Sequence, residues 1–335
     1  MSSRVALRFM LLALCTAFLA SCGGGRDALT IYSGRSENLV GPLLEQFAEE
    51  QDLAIDVRYG DSTDLALLLA EEGDRTPADV FLSQSPGTVG FLAERGALAP
   101  LAPDTLEAVP SQFESASGLW LGVSARRRVL VYDSEQVSPS ELPQSVFELT
   151  EPEYRGRVGV APSNASFQDF VSAMRQVEGD ERTEDWLSGM AANDAPTYAN
   201  NNAIVEAVSR GEIPFGLVNH YYNERFLAED PGLPSRNYVF PDGDLGSIPL
   251  VTTVSVLAGS ERTEDAQRFV EFLLSPEAQR FYSEETFEYP LAAGVEPAAG
   301  LEPLADDVEL PYDIEELGAE LESTARMIAD SGLEE

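Results

Sequence analysis

The chain has 335 residues, of which 44% are apolar. That is ample for a globular core, and the length exceeds the ~250–300 residues that one core usually serves, so two lobes are expected. The formal net charge is -37, and all 21 basic residues are arginine, with no lysine. So acidic a surface repels phosphate, which argues against nucleic acid as a partner and against the body lying on an anionic membrane.

Residues 1–21 read as an export signal. Arg4 and Arg8 give a basic start, and the apolar run from Leu7 to Leu19 is too short to span a bilayer comfortably. Leu19-Ala20-Ser21-Cys22 resembles the bacterial lipoprotein processing box, which implies cleavage before a lipidated Cys22. Residues 22–27 would then form the tether. The alternative is an ordinary secretory signal or an uncleaved anchor. Cys15 falls in the removed segment, so the mature body has no disulfide and no thiol metal site. Acid excess without lysine also resembles proteins of salt-loving organisms, where salt screens self-repulsion.

Along the body, Leu29 to Tyr32 alternates like a strand, and Leu39, Val40, Leu43, Leu44 and Phe47 share a helical face. Leu53 to Tyr59 alternates again, Ser62 is placed to cap a second helix, and Ala78 to Leu82 is a further strand. This β-α-β-α-β order predicts a parallel sheet flanked by helices. Arg128 to Tyr132 and Gly156 to Val160 read as strands; Phe167 to Gln176, Thr183 to Met190 and Asn202 to Ser209 read as helices. Ile248 to Leu257 is strand-like, Thr263 to Leu274 is an amphipathic helix, and Ile314, Leu317, Leu321 and Ile328 mark a last helix. The acid- and proline-rich stretch from Glu296 to Pro311 reads as a surface crossing.

The most informative pair is Tyr221-Tyr222, between the apolar run ending at Asn219 and the start of a helix. A phenolate is a hard anionic donor suited to hard cations. Adjacent side chains diverge within a strand but can converge at a strand-to-helix turn. The alternative is that both rings simply line a wall or core.

Several strings occur in a fixed order: Tyr32-Ser33-Gly34-Arg35, Ala78-Asp79-Val80-Phe81, Arg126-Arg127-Arg128-Val129, Ser166-Phe167-Gln168-Asp169, Asn219-His220-Tyr221-Tyr222 and Glu288-Tyr289-Pro290-Leu291. Together, over residues 28–298, they resemble the ferric-iron-binding proteins of bacterial ABC importers. The resemblance implies an α/β, two-lobed periplasmic-binding-protein fold (type II-like), each lobe a mixed sheet flanked by helices, with an interlobe cleft. Lobe one would hold residues 28–124 and 252–298. Lobe two would hold 125–251 and 299–335, including the C-terminal helix. It implies Tyr221 and Tyr222 as iron ligands, with Glu37, Gln84 and His220 as weaker candidates.

The remaining shell departs from relatives: Ser36 and Gln84 stand where some carry histidine and glutamate, and Phe167 stands where others carry a tyrosine. A synergistic anion, carbonate or phosphate, is therefore expected at Ser163, Asn164, Ser166, Asn201, Asn219, Arg126 and Arg35, with Arg128 as another source of charge. Simpler readings stand beside these. Glu37 suits a first helical turn, Ser163 suits a helix cap, and the arginine run suits a solvated face. His220, the only histidine, suits a supporting position or a pH sensor.

The chain has no catalytic cysteine, no Gly-x-Ser-x-Gly elbow, no Walker loop and no dinucleotide fingerprint, so an enzyme is not expected. The expected partners are ferric ion or a ferric chelate, a permease and its ATPase, with membrane contact only through the lipid anchor and the protein a monomer in the cell envelope. The alternatives are a binding protein for a polyamine, thiamine, sugar phosphate or oxyanion, and an adhesive lipoprotein with a vestigial cleft.

Overall fold

A computed structural model of the chain describes residues 28–301, 304 and 310–333. The export signal and Cys22 lie outside the described residues. The elements run β1 (Leu29–Ser33), α1 (Glu37–Gln51), β2 (Ile55–Tyr59), α2 (Ser62–Glu72), β3 (Val80–Ser83), α3 (Gly87–Glu94), β4 (Leu98–Ala99), α4 (Pro103–Leu106), β5 (Leu121–Asp133), β6 (Val158–Gly159), α5 (Ala165–Glu178), α6 (Asp180–Ala192) and α7 (Asn201–Ser209). They continue with β7 (Phe215–Asn219), α8 (His220–Glu229), β8 (Ser235–Tyr238), β9 (Pro249–Leu257), α9 (Thr263–Leu273), α10 (Pro276–Glu284), β10 (Tyr289–Pro290) and α11 (Ile314–Asp330).

The strand order is β2-β1-β3-β9-β5-β7-β6. β1 pairs parallel with β2 and β3, β6 pairs parallel with β7, and the strands between are antiparallel, so the sheet is mixed as expected. β5 joins the two halves. Its first part, from Leu121 to Arg127, pairs with β9. From Arg128 onward it pairs with β7, and Leu130 to Asp133 also pairs with β8. The register sets Arg126 opposite Leu250 and Arg128 opposite Asn219, at the place where one half gives way to the other.

Sequence periodicity located most of these elements but shortened β5 and missed α3 and α10. α3 carries Gly87 and Gly90, weak helix formers that hide its pattern. The second helix is capped by Asp61, whose carboxylate accepts from the Thr63 N–H at 2.8 Å. Ser62 instead accepts from the Gln84 N–H at 3.0 Å.

α11 packs against both α3 and α5. Against α3 the fit is a close helix crossing. A Cβ on Gly90 would strike the Glu315 carbonyl, and one on Gly318 would strike the Phe91 amide and the Gly87 carbonyl. Against α5 the seam is polar: Ser172 and Arg175 reach Thr324 at 2.8 Å each, and Gln176 accepts from the Asp313 N–H at 2.9 Å. Among the described residues no helix is long and apolar enough to cross a membrane. Because backbone stands where a side chain would go, Gly318→Ala is expected to destabilise the protein by about 1–3 kcal/mol in urea unfolding. A substitution at Gly96, where an added Cβ meets no neighbour, gives the comparison for conformational strain alone.

Candidate metal centre

β7 delivers the chain to the site. Asn219 is its last residue, and α8 begins at once, so Tyr221 and Tyr222 occupy the first helical turn. Unpaired N–H groups there favour negative charge. The two rings stack with centroids 4.2 Å apart and planes inclined by 28°. Tyr221 is fully buried and Tyr222 half-buried. Burial raises the Tyr221 phenol above its ordinary 10, and Tyr222 adds to the rise; Arg35 and Arg126 oppose it. Gln84, from the loop after β3, donates from Nε2 to the Tyr221 hydroxyl at 3.3 Å.

Three guanidinium groups surround the phenols, and all three are at most 1% exposed. Strand alternation explains two of them. Arg126 and Arg128 share one face of β5, while half-buried Arg127 takes the other and lies over the Tyr289 ring. Arg35, in the turn after β1, pairs with Glu288 at 2.5 Å, and its Cζ lies 5.7 Å from the Tyr221 ring centre. The Thr252 hydroxyl accepts from Arg35 at 3.3 Å and from Arg126 at 3.4 Å. Arg126 also donates to the Gln84 carbonyl. Burial opposes the Arg35 charge, but Glu288 and the nearby phenols hold its pKa above the usual value. Among the described residues Arg128 has no carboxylate in salt-bridge contact; burial, then Arg126, lowers it to about 9.

Beside Arg128 lies an amide cluster. Arg128 donates to Asn219 Oδ1 at 3.1 Å, and Asn219 Nδ2 donates to Ser166 Oγ at 3.2 Å. Asn164 caps α5, accepting from the Ser166 N–H at 3.2 Å and from Asn201 at 3.1 Å. Among the described residues, the buried Nε atoms of Arg35, Arg126 and Arg128, and Nη2 of Arg128, have no hydrogen-bond partner.

Residues 75–307 match the model of the bacterial extracellular solute-binding proteins. The chain belongs to that family. It is 32% identical to the Fe(3+)-binding periplasmic protein of Serratia marcescens over 294 residues, covering 87% of this chain and 86% of the relative. Iron-bound HitA from Pseudomonas aeruginosa superposes with a TM-score of 0.86 at 32% identity, over 92% of this chain and all of that one. A Trichodesmium protein in complex with iron and citrate gives 0.78 at 28% identity, over 91% of this chain and 99% of that one. The two-lobed fold expected from the sequence is that of these solute-binding proteins.

Within this family member, the geometry sorts the sequence candidates. Gln84, Arg35, Arg126, Arg128 and Asn219 join the tyrosines through direct or linked contacts, and Asn164, Ser166 and Asn201 join through Asn219. Ser163 is exposed just outside the cluster. Ser36 and Glu37 are exposed at the start of α1, and Glu37 acts electrostatically on Tyr59. Phe167 packs with Phe170 and Trp186 at 6.1 and 6.3 Å.

His220 corrects the pH-sensor reading. Its Nδ1 accepts the Arg127 N–H at 3.1 Å, its ring stacks on Tyr289 at 4.8 Å, and burial lowers its pKa to about 3. It stays neutral at physiological pH, with Nδ1 already engaged. Among the described residues no cluster of three or more His, Cys, Asp or Glu could hold a metal.

Sequence reading missed Glu288, Thr252 and Asp169. Glu288 and Asp169 stood inside quoted strings, but nothing local separates them from the other acids of a chain with 58. Removing Glu288 would leave Arg35 buried and unpaired. Glu288→Ala is therefore expected to cost about 3–5 kcal/mol in denaturant unfolding, and Arg35→Met with Glu288→Leu should recover much of that loss.

Proposed function

We propose that this protein captures ferric ion between its lobes through the phenolates of Tyr221 and Tyr222, and passes it to a membrane permease driven by a separate ATPase. The observation that carries this reading is the stacked phenol pair at the positive end of α8, enclosed by three buried guanidinium groups. The Fe(3+)-binding and ferric iron-binding names of its relatives support it. Cys22 would tether the protein to the outer face of a membrane, leaving the body free in the envelope.

Charge balance supports the anion. Two phenolates leave a trivalent ion with one positive charge, and the three arginines exceed Glu288 and Asp169 by one more. A dianion such as carbonate or hydrogen phosphate would neutralise both. The partnerless nitrogens of Arg126 and Arg128 and the amide cluster at the start of α5 are suited to hold it. The same surplus opposes a polyamine or thiamine, whose own cationic charge would be repelled. Gln84 fits a supporting position better than a ligating one, since its amide nitrogen faces the phenol.

Ferric citrate added to the protein should develop a visible phenolate-to-iron charge-transfer band. Tyr221→Phe and Tyr222→Phe should each weaken and shift it, and the double variant should be colourless. Colour that survives both substitutions refutes the assignment.

Because the Tyr221 phenol titrates above its ordinary range, it is protonated at neutral pH and must lose its proton to bind. Protons therefore compete with the metal: apparent affinity falls as pH falls and rises as pH rises. Calorimetry in buffers of different ionisation enthalpy should show proton release, diminished in Tyr221→Phe.

A further inference from the structure

Asp169 is a fully buried carboxylate whose charge enters the balance above but whose side-chain hydrogen bond runs to another part of the fold. It sits on α5, which follows β6 in the second half of the sheet. Its partner sits just before α3, which follows β3 in the first half. The Ser85 hydroxyl donates to Asp169 Oδ1 at 2.6 Å, and the nearby Gly87 backbone helps to lower the carboxyl's pKa. Gly87 leaves room for this: a Cβ there would lie 3.3 Å from Oδ1 and 3.3 Å from Leu317 Cβ on α11. Ser85 is held in turn, since Ser83 Oγ accepts its N–H at 3.0 Å and Thr88 donates to its carbonyl at 2.7 Å. Asp169 Oδ2 is buried with no hydrogen-bond partner among the described residues, and burial raises the carboxyl to about 7 against the pull of Ser85, Arg126 and Gly87. A carboxylate kept at that cost needs a return. The Ser85 bond joins an element of one half of the sheet to an element of the other, and Gln84, one residue before Ser85, touches Tyr221.

We propose that Asp169 is an interlobe latch, gripping the Ser85 hydroxyl just before α3 and holding the lobes together whether or not solute is bound. It is a positioning residue that touches no solute. The inference rests on closure of the lobes, and not on the solute being ferric ion.

X-ray scattering of the solute-free full chain tests it, because no metal is needed. Asp169→Ala and Ser85→Ala should each raise the radius of gyration, and the double variant should go no further than Asp169→Ala, since both remove the same contact. Asp169→Asn keeps the accepting oxygen and should retain the wild-type profile. For iron-loaded protein, transfer to a chelator should be about tenfold faster in Asp169→Ala, as expected for loss of a hydrogen bond to a charged group.

Superimposable profiles for wild type and Asp169→Ala would overturn the latch. So would additive effects in the double variant, or an Asp169→Asn protein as open as Asp169→Ala. Should Asp169→Ala not fold, Ser85→Ala carries the same comparison alone. If the protein binds no iron, the scattering result still decides the latch.

Discussion

Cationic charge sealed inside a strongly acidic protein is the constraint on which the site depends. Arg35, Arg126 and Arg128 are withdrawn from water while the chain as a whole carries a net charge of -37. Burying a guanidinium is costly unless it is paired and hydrogen-bonded. Glu288 and Thr252 meet that need for Arg35, and the Gln84 carbonyl and Thr252 meet part of it for Arg126. Arg128 is left with Asn219 and the face of Phe170, 5.5 Å from its Cζ. The interior therefore favours negative charge at the point where two phenols can provide it, while the acidic exterior keeps the protein soluble.

The same residues stabilise the fold and shape the cleft. Thr252 lies on β9 and accepts from arginines of two other elements, so the strands that join the lobes are tied to the turn after β1. His220, whose pKa falls to about 3, locks the start of α8 to β5 through the Arg127 amide. That fixes the direction from which the tyrosines leave the sheet.

Much of this was legible in the sequence. Alternation gave β1, β2 and β9, helical periodicity gave α1, α5 and α9, and the tyrosine pair stood out unaided. The unreadable parts share a cause: they depend on pairing between distant segments. Glu288 matters because Arg35 needs it, and Asp169 matters because the start of α3 reaches it; neither partner is local. Only the second half of β5, from Arg128 to Tyr132, reads as a strand, because its first half, around Gly122 and Ser124, lacks a single apolar rhythm. The placement of α11 rests on glycine surfaces that no hydrophobic pattern reports.

β5 also has the character of a ruler. Its partner register slips between Gly122 and Ser124, then runs without interruption through Arg126 and Arg128 to Asp133. An extra residue acquired by the lineage at the slip could be looped out and leave everything beyond untouched. The same insertion a few positions later would invert the strand, facing Arg127 toward the phenols and expelling its two neighbours. The near end of β5 therefore tolerates a change in length that its far end, from Arg126 to Asp133, does not.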